Sequence, residues 1–363
     1  MAEIQPLSRD QLVVCACRGR EYKARDAIDA ALIRGGLESI WKEFLCKINA
    51  EAQAKELDLE LDEDAIDEMA ELFRYEHDLI TAEETECWLE QRGLSLEDFS
   101  DYFARHYWRT AVENISPEDV DLVSAPAELR DLFTVELIFA GELDLLTKQL
   151  MWRLAAFAAN ETRDIDEKEI AAEQERFLDR FKLKPSKLGA WLDRIGRDEE
   201  WLREALAMEI VYRAVRKTVL NPQARNKQLA MLRMPLTRFE AEVIEVESLD
   251  AAREALLCIK QDGMSMEEVS AEARYPYRDI TFRHEDVPAD LQQKFWSVSA
   301  GDVLDPLRRG DGFELYRITQ KTEPDLTDAI VQERIDQRLL EHHFSHLMRD
   351  RVEVRLRAAT ATE

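Results

Sequence analysis

Glycine and proline are scarce, with 11 and 10 residues in a chain of 363, about half their usual combined share. So few turn-forming residues exclude collagen-like and glycine-rich architectures and favour long helices. Positive charge is also short: 49 Lys and Arg stand against 76 Asp and Glu, a formal net charge of −27. Phosphate backbones and anionic lipid repel such a chain, and no basic stripe interrupts it. Neither nucleic acid nor a membrane is therefore an expected partner, and a basic or neutral polypeptide is. No apolar run approaches a membrane span of about 18 residues, and the best, residues 150–159, contains Arg153. The start, Met1-Ala-Glu-Ile-Gln5, lacks the basic and apolar segments of a signal peptide. The five cysteines (15, 17, 46, 87 and 258) are odd in number and show no framework spacing. Free thiols in a reducing cytoplasm are expected. Missing too are a Gly-rich phosphate loop, a Gly-x-Ser-x-Gly elbow and a Cys with a partner His nearby.

What is present is a soluble globular composition, 45% hydrophobic and 34% charged, enough for two or three domains. The first half is helical by period. Ile66, Met69, Ala70 and Phe73 follow three-four spacing. Thr81-Ala-Glu-Glu84 reads as a capping box opening a helix that ends near Gly93, and Ser95-Leu-Glu-Asp98 caps the next. Ser116-Pro117 predicts a further helix start, and residues 132–154 and 167–181 continue the helical pattern. Trp88-Leu-Glu-Gln-Arg-Gly93 resembles Trp191-Leu-Asp-Arg-Ile-Gly196, which suggests a duplicated helical hairpin near 73–112 and 177–215.

The texture changes at Asn221-Pro222. Residues 238–246 alternate as a strand does, and helical patterns follow at 249–261 and from Ser265. Strand, helix, strand and strand patterns then occupy 279–282, 287–295, 303–307 and 313–318, with a Gly310-Asp-Gly312 turn before the last. The order β-α-α-β-α-β-β predicts an α+β unit. A long helix from about 326 to 349 and a short strand-like end at 352–356 complete the chain.

This order, with Val287-Pro-Ala-Asp-Leu-Gln-Gln-Lys-Phe-Trp296, Ser299-Ala-Gly-Asp302 and Gly312-Phe-Glu-Leu315, resembles the parvulin-type (PpiC/SurA-like) peptidyl-prolyl isomerases. The preceding half, with Phe73-Arg-Tyr, Trp88-Leu and Asp98-Phe99, is similar to the helical chaperone part of SurA-like proteins. The resemblance implies a helical chaperone-like domain over 1–230, a parvulin-like domain over 236–322, and a C-terminal helix and tail over 326–356 packing back on the helical domain. It also implies two histidines in the active site, one on the first strand and one on the last. Here the last position falls on Glu314, the first on about Glu242 to within one or two residues, and no histidine occurs in 238–246. Asp279 is the acid nearest the family's Cys or Asp position, and Val287 and Leu291 occupy the apolar proline-pocket positions.

Prolyl isomerisation breaks no bond; its barrier of about 18–20 kcal/mol is lost amide resonance. A catalyst lowers it with an apolar slot that favours the twisted amide. Carboxylates in place of imidazoles need cations, for which Arg317 and Arg283 are the candidates. The expectation is a cytoplasmic peptide-binding chaperone with little or no isomerase activity. It would hold an extended polypeptide, such as a precursor peptide awaiting its maturation enzyme, with Val287, Leu291, Glu242, Glu314 and Asp279 as contact residues. An active prolyl isomerase and an assembly scaffold for a folded partner are the alternatives.

No cofactor or metal is expected. Cys15-Ala-Cys17 lacks a zinc set and reads as small buried residues. Glu341-His-His-Phe-Ser-His346 lacks the zincin order and reads as a solvated face. The acidic run 58–68 has no calcium-loop pattern. Trp88, Phe99, Phe103, Tyr107 and Trp108 read as core, with Trp41 and Trp108 the most exposed among the aromatics.

Overall fold

The computed structural model describes residues 9–117, 120–160 and 163–355, and the chain is α+β with two antiparallel sheets. It divides into two compact units: residues up to Arg216 together with those from His343 onward, and Lys217–His342. The contact division thus falls between 216 and 217, ahead of the expected boundary at 230.

The first unit opens with a hairpin, β1 (Val13–Cys17) and β2 (Arg20–Lys23). Its turn residues Arg18 and Gly19 both have positive φ, 53° and 77°, as a two-residue turn matched to strand twist requires. The short strand β7 (Val352–Val354) pairs with the other side of β1, Cys17 opposite Val352, so the sheet order is β2-β1-β7. Cys15 and Cys17 are buried in this sheet, and burial pushes the Cys15 thiol up to about 12, with Cys17 and Asp26 adding to the effect. That is an inert thiol.

Among the described residues ten α-helices follow: α1 (Ala24–Ile33), α2 (Glu38–Glu56), α3 (Glu63–Glu76), α4 (Ala82–Glu90), α5 (Leu96–Ala111), α6 (Ala127–Phe139), α7 (Glu142–Ala159), α8 (Glu167–Arg180), α9 (Leu188–Arg194) and α10 (Glu199–Val219). Both capping boxes form: Thr81 Oγ1 accepts from the Glu84 amide at 3.2 Å, and Ser95 Oγ from the Asp98 amide at 3.1 Å. The two Trp-Leu helices end alike. Leu94 N–H donates to Leu89 O and Arg197 N–H to Leu192 O, both at 2.9 Å, over Gly93 and Gly196 with φ of 66° and 62°. This is the Schellman end, which only a left-handed residue completes.

Three expectations are corrected. No helix starts at Ser116-Pro117: residues 115–117 and 120–126 are loop and turn, and α6 starts behind Pro126. The pattern over 132–154 is two helices, because Gly141 takes φ 70° and breaks the ladder. Trp41 and Trp108 are buried, at 5% and 7% exposure. Trp41 packs edge-on against Phe133 at 4.9 Å and donates from Nε1 to the Val120 carbonyl at 2.7 Å. Burial of its apolar body is possible because its one polar atom is satisfied. The remaining aromatic stripe is core as expected, with Phe73 surrounded by Trp88, Phe99, Phe103 and Phe139 at 5.5–5.9 Å.

The second unit contains α11 (Pro222–Met231), β3 (Arg238–Val246), α12 (Leu249–Lys260), α13 (Met266–Ala273), β4 (Tyr277–Arg283), α14 (Ala289–Ser297), β5 (Leu307–Arg309) and β6 (Gly312–Thr322). The sheet order is β4-β3-β6-β5. Helix α15 (Ala329–Met348) then carries the chain from this unit back into the first, where Phe344 stacks on Trp152 at 5.0 Å.

Candidate functional site: an acid–arginine cluster on the second sheet

Strand alternation sorts the second sheet's side chains into two faces. On one face Phe239, Ala241 and Val243 of β3 and Tyr316 and Ile318 of β6 pack with Phe295 of α14 and with Val287, Leu304 and Leu307. On the other, Ile244, Val246 and Leu315 pack with α12 and α13. The pairs Ala241↔Ile280, Val243↔Arg278 and Glu245↔Glu314 place Arg278, Ile280, Glu245 and Glu314 on the α14 face. The pairs Glu242↔Asp279 and Glu242↔Arg317 place those three residues on the opposite face.

The five residues singled out in the sequence are therefore divided. Glu314, Val287 and Leu291 share the α14 face, whereas Glu242 and Asp279 lie behind it. The β3 residues nearest Glu242 that share Glu314's face are Ala241 and Val243, one residue either side of it, and Glu245. None of them is a histidine.

Glu314 is 4% exposed. It accepts from Arg278 Nη2 at 2.8 Å and from the Tyr316 hydroxyl, and Arg309 lies 3.9 Å away. Arg278 also binds Glu245. Burial pushes the Tyr316 hydroxyl above the usual tyrosine range, and the hydrogen bond to Glu314 pushes it further. On the opposite face Arg317 binds Glu242, and the Tyr277 hydroxyl lies 3.2 Å from both Glu242 and Asp279. Burial, then these two carboxylates, push that hydroxyl up to about 12.

Arg317 thus pairs Glu242 as expected, but Arg283 does not serve Glu314. Arg283 binds Asp328 at 2.8 Å, and Arg278 takes its place. The strand pattern expected at 279–282 leaves Arg278 out; β4 starts one residue before it, at Tyr277, which turns it onto the α14 face. No local pattern marks Glu245 and Arg278, because only the register brings them beside Glu314.

A cleft of about 600 Å³ opens at this end of the sheet, lined by Glu245, Pro276, Arg278, Arg309, Gly312 and Glu314 among others. Neither Val287 nor Leu291 lines it: Val287 is 7% exposed in the cluster around Phe239, and Leu291 packs against that cluster. At Gly312 the backbone is held close, since a Cβ there would lie 2.9 Å from the Val246 carbonyl oxygen. His284, which the sequence reading did not single out, is buried near the far end of the α14 face. Its Nε2 lies 3.0 Å from the Gln292 carbonyl oxygen. The cleft therefore offers fixed charges of both signs. Carboxylates can accept from N–H groups or basic side chains, and guanidiniums can donate to peptide carbonyls.

No family model matches the chain, and no curated protein matches it. Solved structures similar to it include the peptidylprolyl isomerase PrsA from Bacillus cereus, at 12% identity and TM-score 0.34, covering 63% of this chain and 89% of that one. The foldase protein PrsA from Streptococcus pneumoniae is 14% identical, with TM-score 0.25 over 69% of this chain and 94% of its own. A SurA-like chaperone structure from Campylobacter jejuni is 12% identical, with TM-score 0.20 over 58% and 82%. The likeness concerns the fold. Among the described residues, no helix is long and apolar enough to cross a membrane, and no group of three or more His, Cys, Asp or Glu could hold a metal ion.

Proposed function

We propose that this protein is a parvulin-related chaperone that binds extended polypeptide in the cytoplasm and has little or no prolyl isomerase activity. The observation that carries the reading is Glu314, a buried carboxylate tied to Arg278 and Tyr316 where the family resemblance expects a histidine. A carboxylate held this way is a fixed charge. It favours binding a peptide's donors over the twisted amide, in which the carbonyl loses its conjugation to nitrogen. The side chains at Val287 and Leu291 are spent on the core instead of an open slot.

Charge supports a basic client. Residues 56–98 alone carry 17 acidic and two basic residues. Within them Leu72, Tyr75 and Ile80 are 60%, 84% and 80% exposed. Acidic surface next to exposed apolar side chains suits a basic, partly apolar segment. A precursor peptide held for a maturation enzyme is a client of this kind.

Exchange NMR on a panel of Xaa-Pro peptides, with and without the protein, tests the reading. Uncatalysed exchange takes tens to hundreds of seconds. Line broadening without faster cis–trans exchange is the expected result. Exchange accelerated to parvulin-like rates would establish an active isomerase and overturn the proposal.

A further inference from the structure

In the first unit, α1, α7, α8 and α10 line a part-open cavity of about 110 Å³. Its floor is apolar, with Ile33, Leu150, Phe177 and Leu206. Its charged lining is four guanidiniums, Arg34, Arg153, Arg180 and Arg213, against two carboxylates, Glu173 and Glu209. The carboxylates are already taken: Arg153 binds Glu209 at 2.7 Å, and Arg213 binds Glu173 at 2.6 Å. Arg34 and Arg180 make no ion pair among the described residues. Arg34 reaches only the Gln149 side-chain oxygen, at 3.1 Å, and Arg180 the Ile33 carbonyl, at 2.6 Å.

The end of α1 accounts for part of this. Arg34 is its C-cap, and Arg180 donates to its last carbonyl, but a helix C-terminus supplies only about half a negative charge. About one and a half positive charges remain unanswered in a chain whose net charge is −27. Burial, then the neighbouring Arg153, push the Arg34 guanidinium down to about 9, and Glu209 offsets them only in part, so this half-buried cation is under-compensated.

We propose that this cavity binds a free tetrahedral oxyanion of the phosphate class, gripped by Arg34 and Arg180. Phosphate carries one to two negative charges near neutral pH, which matches the deficit. Guanidinium forks fit its oxygens. The volume is that of about three or four waters, room for an ion but not for a peptide. The site is independent of the peptide-binding reading. Its occupant would tie the end of α1 to α8.

The test is thermal unfolding of the full chain with phosphate or sulfate replacing chloride at constant ionic strength, together with the ³¹P linewidth of phosphate. Both oxyanions also stabilise proteins non-specifically by exclusion, so the variant Arg34→Met is the control. The expected result is a saturable rise in the unfolding midpoint and a broadened ³¹P line for wild type. Arg34→Met should lose both effects and, in chloride, unfold no earlier than wild type. Equal phosphate effects on wild type and variant would overturn the proposal. Should Arg34→Met fail to fold, Arg180→Gln on the surface decides: about tenfold weaker phosphate binding supports the site, and unchanged binding overturns it.

Discussion

Removing Arg278 should expose how much the second sheet depends on the cluster at its cleft. The guanidinium lies 2.8 Å from Glu314, whose side chain is 5% exposed against 48% for Arg278. At an effective dielectric constant of about 20, charges at that separation attract by about 6 kcal/mol. Desolvating Glu314 and screening at the exposed side of Arg278 offset more than half of this. Arg278→Met is therefore expected to cost about 2–3 kcal/mol, near the lower edge for losing one partner of a buried pair. Glu314→Gln keeps the shape and an acceptor for the Tyr316 hydroxyl, and should cost about 1 kcal/mol. With Gln at 314, Arg278→Met should cost under about 1 kcal/mol, so the double-mutant cycle should show coupling of about 1.5–2 kcal/mol. Hydrogen exchange of the β3 and β6 amides reads this locally, without interference from the first unit. Additive effects would show that Glu314 is solvated and the electrostatic argument mistaken.

Other substitutions have equally definite outcomes. Phe344 is 0% exposed and stacks on Trp152, so Phe344→Ala should cost about 3–5 kcal/mol; a thermal midpoint within a degree of wild type would contradict that packing. Gly93→Ala meets no atom within 4 Å but must hold φ 66°, so denaturant unfolding should show a loss of about 1 kcal/mol from the left-handed backbone alone. Glu136 is 3% exposed; burial pushes its carboxyl up, but the His106 hydrogen bond and the Lys47 charge at 2.6 Å more than reverse this. The pair stabilises above the unfolded value of about 4.3, and its contribution is lost as pH falls through the lower folded value. Lys47→Met should therefore destabilise at pH 7 and narrow the gap to wild type in acid titrations followed by circular dichroism.

The features legible in the sequence were those fixed within a few residues. Thr81 with Glu84, Ser95 with Asp98, and Gly93 at a helix end each encode their geometry in a four- to six-residue window, and all form. The α+β order of the second unit was legible for the same reason. What was hidden depends on partners distant in the chain. Trp41 is buried because Phe133 and the Val120 carbonyl receive it. Arg278 belongs to the cleft because strand register, which alternates faces at every residue, sets it beside Glu314 and leaves Glu242 behind. The pairing of β1 with β7 joins opposite ends of the chain.

That last pairing governs the order in which a nascent chain can fold. β1 leaves the ribosome first, but its partner strand lies more than 330 residues later. At roughly 10 residues per second, that is about half a minute of synthesis with one edge of β1 open. The whole second unit is made inside this interval and has local contacts enough to fold while the first unit waits. An open strand edge recruits any extended segment that comes near. A chain released before β7 is made would keep that edge, and native-state aggregation of such truncations should begin there.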